Sequence, residues 1–169
     1  MLFRSMVAMN GSYHGKSLGA LSITFNPKYR KSFMPLVEKV AFSPFGDIET
    51  LRTKIDNDTA FVIMEPIQGE SGINVAPPGF LQDVRKLCDE RGILLIFDEI
   101  QAGLGRTGKM WACDHWNTTP DIICLAKGIA GGVQMSATLT RPDILAAMSK
   151  GEHSSTFGGN PLSCARSEE

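Results

Sequence analysis

The sequence predicts an α/β fold in which a mostly parallel β-sheet is covered by helices, and three observations carry that prediction. Short apolar runs recur between acidic or glycine punctuation, and a segment with helical spacing separates two of them. Polar side chains stand just after the runs, where a parallel sheet would gather them at the carboxyl ends of its strands.

The runs are Met6 to Met9, Phe61 to Met64, Ile93 to Phe97, Ile122 to Leu125 and Met135 to Leu139. Each is too short for a helix, and its apolar character predicts a buried strand. Between the second and third runs, Phe80, Leu81, Val84, Leu87 and Cys88 share one helical face with charge on the other, and Gly92 supplies a stop. Residues 26–47 lack clear periodicity and are expected to form a long loop. No repeat, low-complexity stretch or change in composition divides the chain, so residues 1–169 are expected to form one domain.

With 169 residues, 43% of them hydrophobic and 21% charged, the chain can bury a core without disulfides or metals. Seventeen basic and eighteen acidic residues leave a net charge of -1, which offers no electrostatic footprint for nucleic acid or an anionic membrane. Cys88, Cys113, Cys124 and Cys164 form no C-x-x-C pair or Cys/His ladder, so neither zinc nor a disulfide framework is expected. The opening MLFRSMVAM is short and broken by Arg4, unlike a signal peptide, and no apolar run approaches the roughly 18 residues of a membrane span. A soluble protein of the reducing cytoplasm is the expectation.

The polar residues after the runs are Glu65, Asp98, Gln101 and Lys127. Asp98 follows ILLIF directly, and on its own it reads as an acidic strand terminus. Lys127 lies in AKGIAGG, where the glycines let backbone pass close to a ligand. A lysine desolvated at such a rim is a nucleophile toward carbonyl groups, which points to imine chemistry. Glu65 to Gly72, EPIQGESG, sets two carboxylates and a glutamine on a glycine-containing turn, readable as a binding loop or as a tight turn alone. In HSSTFGGNP, the hydroxyls of Ser154, Ser155 and Thr156 precede Gly158 and Gly159, a pattern open to a phosphate cradle or a polar loop.

Gly103 to Lys109, GLGRTGK, matches the spacing of a nucleotide-binding P-loop. Met110 stands where that motif needs Ser or Thr for magnesium, and DEIQA separates the glycines from their strand. Both features count against a nucleotide-binding module.

YHG at Tyr13 to Gly15, EPIQGESG, FDEIQAGLGRTGK, PDIICLAKG and HSSTFGGNPL follow one another as in class III, or ornithine-type, pyridoxal-phosphate-dependent aminotransferases. The chain resembles that family over nearly its whole length. The resemblance implies the large domain of a fold-type I pyridoxal 5′-phosphate transferase, without the N- and C-terminal small-domain parts. It implies that Lys127 is the catalytic residue carrying the cofactor as a Schiff base, that Asp98 pairs with the pyridine nitrogen and that Gln101 contacts the phenolic oxygen. Tyr13 would stack on one ring face beside His14, with Ile100 against the other. Ser155 and Thr156 would bind phosphate, Thr156 across a homodimer interface, while Lys16 and Glu70 would face substrate. The partners implied are an amine donor and a 2-oxo acid.

Within the family, HGKSLGALS, RKSFMPL, PPGFLQDVRKLCDE and GRTGKMWACDH are most similar to putrescine aminotransferases, and Lys16 stands where acetylornithine aminotransferases usually have arginine. A diamine or ω-amino donor is therefore expected, with an acetylornithine or ornithine type as the alternative. Family members are more than twice this length, Gln134 and Ser136 depart from the usual turn after the lysine, and CARSEE departs from the usual helix. A truncated chain is expected from these features, weakly active or acting as an inactive dimerising remnant.

Overall fold

The computed structural model describes residues 4–168. Met1 to Phe3, which open the segment weighed as a signal peptide, and Glu169, which ends CARSEE, lie outside the described residues.

The strands are β1 (Ser5–Met9), β2 (Val40–Ser43), β3 (Thr59–Met64), β4 (Ile67–Gln68), β5 (Asn74–Val75), β6 (Leu94–Asp98), β7 (Ile122–Leu125) and β8 (Ala137–Thr140). Six of them form one sheet in the order β2-β1-β3-β6-β7-β8, parallel throughout except that β8 runs antiparallel to β7. β4 and β5 make a separate antiparallel hairpin directly after β3. The mostly parallel sheet is thus found as the apolar runs predict, with each run lying on or beside a strand.

Two elements differ from the sequence reading. Residues 26–47 are not a continuous loop, for they contain β2, an edge strand whose Val40, Ala41 and Phe42 are only half-buried. With one sheet neighbour, such a strand needs no continuous apolar run, which is why its sequence is unobtrusive. Met135 to Leu139 is expected as a buried strand, yet β8 begins at Ala137 and leaves Thr138 and Leu139 exposed. Its position at the opposite edge explains that exposure.

Alternation along the strands sends Val7, Met9, Val62, Met64, Leu95 and Phe97 to one face of the sheet. They pack there against Leu51 of the helix Ile48–Lys54 and against Phe80, Leu81, Val84 and Leu87 of the helix Phe80–Arg91. Full burial of each of those four stabilises by about 1.5–3 kcal/mol. Gly92 ends the longer helix at φ 62°, a left-handed conformation that favours glycine. The opposite face is covered more thinly: Ala8 and Ile63 are buried with Ile23, while Phe61 and Ile96 remain half-buried.

The buried Asp121 fastens this helix to the sheet. Its Oδ2 accepts from the Leu95 backbone N–H and from Arg85 Nη1, both at 2.8 Å, and its Oδ1 accepts from Arg141. Among the described residues no helix is long and apolar enough to cross a membrane.

Candidate active site at the strand ends

Parallel strands point the same way, so the segments leaving β1, β3, β6 and β7 emerge along one rim. There Tyr13, His14, Gly15, Glu65, Asp98, Ile100, Gln101 and Lys127 line a single cleft. It lies across the centre of the sheet, from the loop after β1 to the turn after β7.

The Tyr13–His14 segment is held from three sides. Ser12 Oγ donates to the Ile23 carbonyl at 2.9 Å, the Tyr13 N–H donates to Glu65 Oε1 at 3.0 Å, and the His14 N–H donates to Thr24 Oγ1 at 2.9 Å. So fixed, His14 Nδ1 reaches Asp98 Oδ2 at 2.8 Å, and both residues are buried. Asp98 accepts as a carboxylate, which places the imidazole proton on Nδ1. Asp98 Oδ1 accepts from the Ile100 N–H at 3.1 Å. His14 Nε2 is buried without a hydrogen-bond partner among the described residues.

Glu65 is also buried and bridges two loops, taking the Tyr13 N–H on one oxygen and the Gly69 N–H on the other at 3.1 Å. Burial raises its pKa, opposed by those two N–H donors and by His14. The EPIQGESG segment carries β4 and the turn that leads to β5, and it is bolted to the end of β1 through Gln68 Nε2, which donates to the Asn10 carbonyl at 2.8 Å.

Lys127 opens a 3₁₀ turn, Lys127–Ala130, with φ at 46°. Few residues other than glycine tolerate that left-handed conformation, and outliers of this kind collect at functional sites. The side chain is exposed and makes no salt bridge among the described residues, so it is not the desolvated lysine the sequence suggests. The lysine nevertheless stands at the cleft, beside Asp98, Ile100 and Gln101.

Of the predicted site residues, the cleft gathers Tyr13, His14, Asp98, Ile100, Gln101 and Lys127. It does not gather the other four. Lys16 places Nζ 5.6 Å from the centre of the Tyr29 ring, outside the cleft. Glu70 is exposed on the hairpin. Thr156 is exposed, and Ser155 lines a different cavity with Gln134, Ser136 and Asn160. Glu65 is the buried cleft residue to which sequence reasoning assigned no role, although its place just after β3 marked it among the rim residues.

The P-loop alternative fails on structure as well as on sequence. No α-helix follows the glycines directly; Lys109 Nζ donates to the Asp114 carbonyl at 2.9 Å, beside the 3₁₀ turn Ala112–Trp116.

A buried carboxylate, an aromatic ring, an aliphatic side chain, an amide and an amine around one cleft suit an aromatic, nitrogen-containing carbonyl cofactor. The residues present fit pyridoxal 5′-phosphate, because Asp98 is already oriented by His14 and Ile100 while Gln101 and Lys127 have uncommitted polar ends. Fold and site together define a pyridoxal-phosphate-type α/β domain. The chain belongs to the class-III aminotransferase family, whose model matches residues 4–169.

Among relatives, an acetylornithine aminotransferase of Methanopyrus kandleri is 51% identical over 159 residues, covering 94% of this chain and 41% of that protein. Ornithine aminotransferase 1 of Staphylococcus saprophyticus is 51% identical over 161 residues, covering 95% of this chain and 41% of its own. The ornithine aminotransferase of Toxoplasma gondii superposes with a TM-score of 0.94 at 37% identity, over 99% of this chain and 40% of that one. The chain therefore spans about two fifths of the length of these relatives.

Proposed function

We propose that this chain is the cofactor-binding portion of a pyridoxal-phosphate-dependent transaminase acting on an ornithine-type amine donor, with a 2-oxo acid as acceptor. The observation that carries the reading is the convergence of Asp98, Gln101 and Lys127 on one cleft. Acetylornithine and ornithine aminotransferases at 51% identity favour the ornithine-type donor over the putrescine-like one expected from segments such as HGKSLGALS and RKSFMPL together with Lys16.

Pyridoxal 5′-phosphate, when bound, supplies an electron sink for the substrate carbon that bears the amine. The Asp98 carboxylate, oriented by His14, would keep a proton on the ring nitrogen. Tyr13 and Ile100 would confine the ring from its two faces, and the Gln101 amide would meet the phenolic oxygen. Lys127 would hold the cofactor through Nζ, and the same amine would serve as the general acid–base group at the amine-bearing carbon of the substrate. Thr156 lies outside the cleft, in keeping with its serving the phosphate of a neighbouring subunit in a homodimer, with Ser155 beside it.

The test is to incubate the protein with pyridoxal 5′-phosphate, reduce with borohydride and map the adduct by mass spectrometry, then assay N-acetylornithine, ornithine and putrescine against 2-oxoglutarate. An adduct at Lys127 and a preference for the ornithine compounds are expected. No adduct overturns the cofactor reading, and faster turnover of putrescine overturns the donor assignment.

A further inference from the structure

We propose that Gly69 is a positioning residue for Gln101, holding that side-chain amide at the cleft because it has no side chain of its own. The inference rests on the reading of the cleft as a pyridoxal phosphate site. A Cβ on Gly69 would stand 2.2 Å from Gln101 Oε1, 2.3 Å from Cδ and 2.6 Å from Nε2, all far inside contact distance. Gly69 is not among the glycines with positive φ, unlike Gly11 at 81° and Gly72 at 117°. Its backbone would accept an alanine. The close approach of the amide is what requires glycine here.

Gly69 cannot readily retreat from that contact. Its N–H donates to the buried Glu65 Oε2 at 3.1 Å, and its carbonyl accepts from the Gly72 N–H at 3.2 Å and the Ile73 N–H at 3.4 Å. The preceding Gln68 ties the hairpin to Asn10. Gln101 is the mobile partner, since the atoms in the way belong to the end of its side chain. That amide makes no hydrogen bond among the described residues, so its place is set by packing over Gly69. Its donors and its acceptor therefore remain available to a ligand in the cleft.

The experiment compares Gly69→Ala, Gln101→Ala and the double variant with the unaltered protein. Without cofactor, the side-chain amide resonances of Gln101, assigned by their loss in Gln101→Ala, should move in Gly69→Ala; unchanged resonances overturn the proposal. With pyridoxal 5′-phosphate, Gly69→Ala should weaken cofactor binding about tenfold, the loss of one hydrogen bond to a charged group. It should also shift the pH midpoint of the bound cofactor's visible absorbance as Gln101→Ala does, with no further change in the double variant. Additive effects overturn the proposal. If Gly69→Ala fails to fold, adding Gln101→Ser should restore folding by clearing the contact, and failure to restore it also overturns the proposal. Absence of any cofactor adduct in the unaltered protein defeats the functional reading instead, and the amide resonances still decide the role of Gly69.

Discussion

Asp98 and His14 stand 84 positions apart in the chain and meet in a buried contact of 2.8 Å. Asp98 ends β6 and His14 lies in the loop after β1, so the pair reaches over the end of β3, the strand between them. The two residues join the rim of the sheet into one unit. His14→Ala should leave a buried carboxylate oxygen short of a partner, destabilising the fold by about 1–3 kcal/mol. Urea unfolding checks this, and an unchanged midpoint would show that water replaces the imidazole without loss. Cofactor binding should weaken in the same variant because Asp98 is no longer held.

Lys127, the residue proposed to hold the cofactor, has an unfavourable backbone, at φ 46°. Lys127→Ala and Lys127→Gly should both abolish borohydride trapping. The glycine variant should be the more stable of the two by about 1 kcal/mol, because only alanine retains the left-handed penalty. Thermal melts of the two proteins decide the matter; an alanine variant of equal stability would rule out strain at this residue.

Asp121 and Glu65 should oppose one another in acid. Burial raises the pKa of Asp121, but the Leu95 N–H and Arg85 outweigh it, and the net value lies below the ordinary 3.8. Its contribution to stability is therefore present above pH 3.8 and is lost as the pH falls through the lowered value. Asp121→Asn should cost about 3 kcal/mol at neutral pH, the scale for breaking a buried ion pair. It should also flatten the loss of stability on acidification, measured by denaturant titration at a series of pH values.

Glu65 behaves in the opposite sense. Burial outweighs its two backbone donors and His14, raising its pKa above the ordinary 4.5. Below 4.5 its protonated form stabilises the fold in full, and that contribution is lost as the pH rises through the raised value. Glu65→Gln should remove this decline while giving up one of the two backbone bonds. A variant whose stability still falls over the same interval would show that another group is responsible.

The thiols should divide by burial. Burial pushes Cys88 and Cys113 up to about 12 and Cys124 up to about 11, whereas Cys164 is exposed. Iodoacetamide at pH 8 should alkylate Cys164 first, because the thiolate is the reacting form. Peptide mapping over time gives the order, and early labelling of Cys88 or Cys113 would contradict the burial of that part of the core.

Much of the fold is legible in the sequence. The runs around Val7, Val62, Leu95 and Ile123 reveal strands because a strand buried on both faces must be apolar throughout. The spacing of Phe80, Leu81, Val84 and Leu87 reveals a helix because one stripe faces the sheet. β2 and β8 were harder to read, since an edge strand can carry half-buried or exposed residues such as Phe42 and Thr138. Lys127, Asp98 and Gln101 could be singled out because each follows a strand closely and matches a recognisable family pattern. Glu65 was noted at its strand end without a role, since nothing local distinguishes a carboxylate bridging two loops from one facing water.

The sequence by itself determined the central strands, the helix Phe80–Arg91 and the polar residues that follow the strands, because apolar periodicity and glycine punctuation act over a few neighbouring positions. Only the tertiary structure decided that His14 meets Asp98, that Glu65 ties Tyr13 to Gly69, and that Gln101 lies against a glycine. It also separated Lys16, Glu70, Ser155 and Thr156 from the cleft. Those relationships depend on strand order, β2-β1-β3-β6-β7-β8, which sets residues far apart in the chain side by side along one rim.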